Sequence, residues 1–216
     1  MAEIIYLEGS GKRAELPENL FLRFMCLEPT RKSFQGFANL YGTLDCGVEE
    51  PVSAWQSERE AFRKAVFLWQ FIEGTTGIPA REDEDILGMF PDLFDALEDE
   101  VVDAGVLALE LFPKAGWTVE ALGAHSMLHG IVSDRLRDRM EANLVSDFDR
   151  LSLRAEPFSV CTAGKMWLQL TNAVNEKWKL RKCHWCRTPF RLKDPRAMYC
   201  SPSCKTSAIR ARRAKK

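Results

Sequence analysis

Two closely spaced cysteine pairs, Cys183-x2-Cys186 and Cys200-x3-Cys204, constrain the C-terminal end of this chain more than any other feature. Thiolate pairs joined by a short loop supply four sulfurs, the donor set that structural zinc binds tetrahedrally. A closed shell of four sulfurs leaves no open coordination position, so the expected role is to hold a fold rather than to run a reaction. The nearby apolar residues, Trp185, Phe190, Leu192, Met198, Tyr199 and Ile209, are too few for an independent core. A bound metal would supply the missing stability, about 10 to 16 kcal/mol in zinc-finger peptides. His184 lies between the first two cysteines, but four thiolates already complete the shell, so it is expected to face solvent. A disulfide-stapled tail is the competing reading. An odd count of seven cysteines, and the lack of a basic-then-apolar leader over Met1 to Leu7, argue against it.

The formal net charge of -1 conceals a strong polarity. From Trp178 onward there are 13 Lys and Arg against Asp194 alone, a balance of +12 that leaves -13 for the remainder. Eleven acids and no Lys or Arg fall between Glu82 and Pro113, beginning with Glu82-Asp83-Glu84-Asp85. A solvated helix face with its lead-in loop explains such a run; a shield folded over the basic end is the sharper alternative.

With 216 residues, 46% of them hydrophobic, the chain suits one medium domain plus a small module. The longest apolar runs, such as Ala65 to Ile72, fall far short of a membrane span, and a soluble cytoplasmic protein is expected. Cys26, Cys46 and Cys161 stand among apolar residues and read as reduced core cysteines.

Along the chain, Glu3 to Leu7 reads as a strand, and Phe21 to Cys26 and Phe34 to Leu44 as extended pieces. Ser53 with Gln56 resembles a capping box that opens a long helix, and Gly74 ends it. Asp92 to Phe112 forms a second helix, with Leu93, Leu97, Val101 and Leu107 or Leu109 toward a core and Pro113 as its stop. Thr118 caps a third helix toward Asn143, with Leu122, Met127, Ile131, Leu136 and Met140 apolar and a charged outer face from Asp134 to Glu141. His125 and His129 share a face of it, yet Ser126 stands where the glutamate of H-E-x-x-H would be, which favours packing or surface histidines. Asp147 to Phe158 is a strand or loop, and Ala163 to Trp178 a last core helix.

The second cysteine pair is expected to open a helix over Ser201 to Lys216, with Ile209 facing the module and Lys205, Arg210, Arg212 and Arg213 fanning outward. Arg187, Arg191, Lys193 and Arg196 widen the same surface, which suits nucleic-acid phosphates.

The pattern C-x2-C followed by Tyr199-Cys200-Ser201 and Cys204, with Phe190 between the pairs and Arg210, Arg212 and Arg213 after them, resembles a bacterial family. Its members carry an ABATE-like N-terminal domain and a C-terminal CGNR-type zinc finger, and Trp167-Leu168-Gln169-Leu170 gives a weaker upstream echo. The naming tetrapeptide is absent, since Lys205-Thr206-Ser207 follows Cys204. The resemblance implies a treble-clef-like DNA-binding element in a transcriptional regulator.

The resulting expectation is a mainly α chain with minor β. Residues 1-177 form a helical sensing or oligomerising domain, and 178-216 a treble-clef-like module with one structural zinc on Cys183, Cys186, Cys200 and Cys204. DNA is the expected partner ahead of RNA, through Lys205, Arg210, Arg212, Arg213, Arg187, Arg191 and Arg196, with homo-oligomerisation left open. A zinc-stabilised module that binds an acidic protein, or the chain's own acidic segment, is the rival. No nucleophile and base pair, phosphate loop or open metal site suggests an enzyme.

Overall fold

The computed structural model describes residues 3–6, 16–45, 47, 49–76, 90–111, 118–147, 152–159 and 161–214. Among these the chain is mainly helical, with three two-stranded antiparallel sheets. It divides into two compact units, Met1–Ala61 with Ile131–Asn172, and Phe62–Gly130 with Ala173–Lys216.

In the first unit, β1 (Ile4–Tyr6) pairs with β2 (Glu49–Pro51), Ile5 buried and facing Glu50 in the register. The aromatic segments expected to be extended are instead helices, α1 (Leu20–Met25) and α2 (Arg31–Tyr41). Local capping decides the second of these: the Thr30 hydroxyl accepts from the backbone N–H of Ser33, and Phe34, Phe37 and Tyr41 then recur at helical spacing. Phe24, Phe37 and Trp55 pack against one another, with ring-centroid distances of 5.1, 5.9 and 6.1 Å, so the aromatic density that suggested strands is the packing of a helical core.

The long helix α3 (Val52–Thr76) begins before Ser53 and runs through Gly74. Gln56 makes no capping box; its amide donates to the carbonyl of Pro29. α5 (Val119–Leu136) starts as expected, the Thr118 hydroxyl accepting from Ala121 N–H at 3.2 Å, but it ends short of Asn143, and β3 (Glu141–Asp147) and β4 (Ser152–Phe158) form a hairpin. Nor is the charged stretch after Asp134 wholly outward-facing. Arg135 and Arg139 reach the buried Glu58 carboxylate at 2.9 and 2.7 Å, the Trp167 indole donates to it at 2.5 Å, and Arg139 also holds Asp45 at 2.6 Å. Burial alone would lower the Arg139 pKa, but the charges of Glu58 and Asp45 more than offset it and raise it. Trp167 belongs to α6 (Thr162–Asn175), whose Gln169 binds the backbone of Leu20 and Pro17.

In the second unit, α4 (Pro91–Leu111) meets α5 at two glycines. A Cβ on Gly123 would stand 1.7 Å from the Val101 carbonyl oxygen, and one on Gly105 would stand 2.0 Å from that of Val119, so only glycine permits this approach. The buried residues of α5 are accordingly small, Ala121, Gly123 and Ala124 beside Leu128, while Leu122, Met127, Ile131 and Leu136 are only half-buried. Leu97 and Val101 of α4 are buried as expected; Leu107 and Leu109 are exposed, contrary to expectation. Pro113, the acidic run Glu82 to Asp85, and Cys46 lie outside the described residues.

Candidate metal centre and basic helix

A three-residue strand on either side sets up the first cysteine pair. β5 (Leu180–Lys182) and β6 (Pro189–Arg191) pair antiparallel from Leu180 with Arg191 to Lys182 with Pro189, leaving 183–188 as the turn. The turn is closed by the backbone: Cys183 N–H donates to Thr188 O and Arg187 N–H to Cys183 O, both at 3.0 Å. Arg187 takes the left-handed conformation (φ 61°), so the loop turns where glycine would be the easier residue. Tightness of this kind brings Cys186 back toward Cys183.

The second pair sits at a helix start. Ser201 caps α7 (Pro202–Arg213), its hydroxyl accepting from Cys204 N–H at 3.2 Å, and Pro202 occupies the first helical position. Cys200 therefore precedes the helix and Cys204 lies in its first turn. Two bonds tie this start to the turn: His184 N–H donates to Met198 O at 3.0 Å and Cys200 N–H to Cys183 Sγ at 3.4 Å. Arg181, buried, reinforces the approach by donating from Nη1 to the carbonyls of Pro195 and Ala197, each at 2.9 Å. An arginine in a basic tail looks like a surface charge in sequence. Only its partners in space reveal this clamp.

The four Sγ atoms lie within 4.8 Å of one another, Cys200 at 3.6 Å from Cys186 and 3.5 Å from Cys204. With metal–sulfur bonds of about 2.3 Å a tetrahedron has edges of about 3.8 Å, whereas a disulfide needs about 2.05 Å. The spacing thus fits four thiols around an ion, and all four are free of disulfides. Burial pushes the Cys183 thiol up, but N–H donors from Cys200, Cys186 and Trp185, together with the Cys186 thiol, outweigh it and bring the pKa down to about 6. Cys200 is pushed the other way, by burial first and then by hydrogen bonds to Cys204, Cys186 and Cys183. One sulfur of the cluster ionises readily and a neighbour resists; a cation is what allows further thiolates.

His184 is exposed, as expected, with its ring 6.3 Å from that of Tyr199 in a T-shaped arrangement. His125 and His129 are both exposed on α5 and join no group of three metal-capable side chains among the described residues.

Lys205, Arg210, Arg212 and Arg213 are exposed on α7, as are Arg187 and Arg196 in the module. Arg191 is placed differently. Its guanidinium lies 3.9 Å from the centre of the Trp178 ring and binds Glu176 at 3.2 Å, and the Trp178 indole donates to the same carboxylate at 2.7 Å. Ile209 does not face the module; it is 40% exposed, and Ala208 is the buried residue of this turn. With Cys204 in the inward stripe, a residue five positions on points away, and one four positions on points in.

No family profile, no curated protein and no solved structure matches the chain. Among the described residues no helix is long and apolar enough to cross a membrane.

Proposed function

We propose that this chain is a non-enzymatic DNA-binding protein of a bacterial cytoplasm, a transcriptional regulator in which a structural zinc ion holds α7 for contact with duplex phosphates. The observation that carries the reading is the outer surface of α7. Its Lys205, Arg210, Arg212 and Arg213 are exposed, the helix contains no acid, and its first turn is anchored through Cys204 to the metal-capable cluster. Zinc suits a soft four-sulfur shell with no open position, and so supplies rigidity rather than chemistry. Arg187 and Arg196 extend the surface, whereas Arg191 serves the module by stacking on Trp178.

Electrostatic binding of this kind is salt-dependent through counterion release. About four to six phosphate contacts give a log–log slope of roughly -4 to -5. Replacing Arg210, Arg212 and Arg213 together by Ala should flatten that slope by about 3. An unchanged slope, or no binding to any duplex at low salt, overturns the proposal. Preference for single strands would instead favour the RNA reading, for which Trp185, 45% exposed in the cysteine turn, offers a stacking face.

A further inference from the structure

The outer face of α4 carries an apolar stripe that is exposed among the described residues. Val102, Val106 and Leu109 follow one another at helical spacing and are 38%, 49% and 38% exposed. Glu98, Asp99 and Asp103 border the stripe, are exposed, and make no ion pair among the described residues. By contrast, Asp92 and Glu100 of the same helix are engaged by Arg63 and Lys64 of α3. An isolated exposed apolar side chain is ordinary, but a stripe of three rimmed by acids marks a contact surface.

Acidic borders repel nucleic acid, anionic lipid and another α4. They suit a basic helix with an apolar centre, and this chain carries one. On α7, Ile209 is exposed between Lys205, Arg212 and Arg213, which occupy the same face at i−4, i+3 and i+4. The lengths agree: Val102 to Leu109 spans about 10 Å and Lys205 to Arg213 about 12 Å at 1.5 Å per residue. Val106 and Ile209 are both exposed within one chain, so its own α7 does not cover its α4.

We infer that the outer face of α4 is a docking site for α7 of a second copy of this chain, Ile209 entering the Val102–Val106–Leu109 stripe and the arginines meeting Glu98, Asp99 and Asp103. Such docking occupies the α7 face proposed above to hold phosphates, so self-association and DNA binding exclude each other. That consequence rests on the DNA reading; the association does not.

Sedimentation of the zinc-loaded 216-residue chain tests it. Assembly at about 50 mM salt should loosen at about 500 mM, where the Debye length is only a few ångströms. Val106→Glu, and separately the pair Arg212→Glu with Arg213→Glu, should each weaken assembly by about tenfold or more. Each variant spoils a different face, so mixing the two restores pairing between an intact α7 and an intact α4. Metal content and circular dichroism verify that both variants fold. A wild-type chain that stays monomeric, a Val106→Glu chain that assembles as wild type does, or mixed variants that fail to pair would overturn the inference. Should a duplex bind without dissolving the assembly, mutual exclusion falls; should no duplex bind while assembly persists, the DNA reading falls alone.

Discussion

The backbone N–H of Cys200 donates to the Sγ of Cys183 at 3.4 Å, joining the entrance of the basic helix to a strand-flanked turn 17 residues earlier. This bond, with the His184 to Met198 bond beside it, fixes the second cysteine pair against the first before any ion is considered. A metal held by the four sulfurs would close an arrangement the backbone has prepared.

Arg181 is the clearest test of that preparation. Its Nη1 holds the carbonyls of Pro195 and Ala197, and hydrogen bonds from a charged donor contribute about 1.5 to 3 kcal/mol. Arg181→Ala should weaken metal affinity by about tenfold to a hundredfold, the range seen when groups supporting the ligands are removed. Competition against a chelator of known affinity measures it; unchanged affinity would mean that the 195–197 loop positions itself.

Arg187 separates folding from binding. Its left-handed backbone costs an L-residue roughly 1 to 2 kcal/mol, which glycine does not incur. Arg187→Gly is therefore expected to hold metal at least as tightly as wild type. If the guanidinium meets a phosphate, the same change lowers the salt slope of DNA binding by about 0.9. Weaker metal binding in this variant would show that the side chain, not the backbone, matters to the turn.

Proton competition gives a third expectation. Cys183 is lowered to about 6 and Cys200 is raised, so at neutral pH Cys200 must release a proton to bind metal while Cys183 is already ionised. Apparent affinity should fall as pH falls, and more steeply below about 6, where Cys183 is protonated as well and one more proton is displaced per ion. Affinities measured from about pH 8 down to about pH 5 report the slope, and a slope that stays constant through 6 contradicts the assignment.

Glu58 governs the first unit independently of the metal. Its carboxylate is 2% exposed and receives Arg135, Arg139 and the Trp167 indole. Removing one charge from a buried network strands the others, at a cost of about 3 to 5 kcal/mol. Glu58→Gln should lower the melting temperature by roughly 10 °C while leaving metal stoichiometry intact. A shift of only a degree or two would show that water screens the pair.

What could be read from the sequence follows from where each signal resides. The cysteine spacing, the cap at Thr118 and the helical recurrence of Trp55, Phe62, Ala65, Val66, Trp69 and Ile72 are local patterns, and the structure has all of them, those six residues buried along α3. The aromatic segments around Phe24 and Phe37 suggested strands because aromatic residues favour pleated surfaces; here the Thr30 cap opens the second as a helix, and both pack their rings on Trp55. Arg181, Arg139 and Glu58 look like solvent-facing charges, and their partners lie far away in sequence. Ile209 was expected inward because it is apolar; its one-residue offset from Ala208 turns it outward.

The central claim is that four thiolates hold one zinc ion and that this ion organises the C-terminal module. Native mass spectrometry of the full chain, with elemental analysis of the same sample, tests both the ion's identity and the ionisation of its ligands. The account predicts one zinc per chain, a mass increment reduced by the protons the thiols release, and loss of the ion with protease sensitivity after Arg181 when Cys200 is replaced by Ser. A metal-free wild-type chain whose residues 178–216 resist protease as the loaded chain does would contradict it.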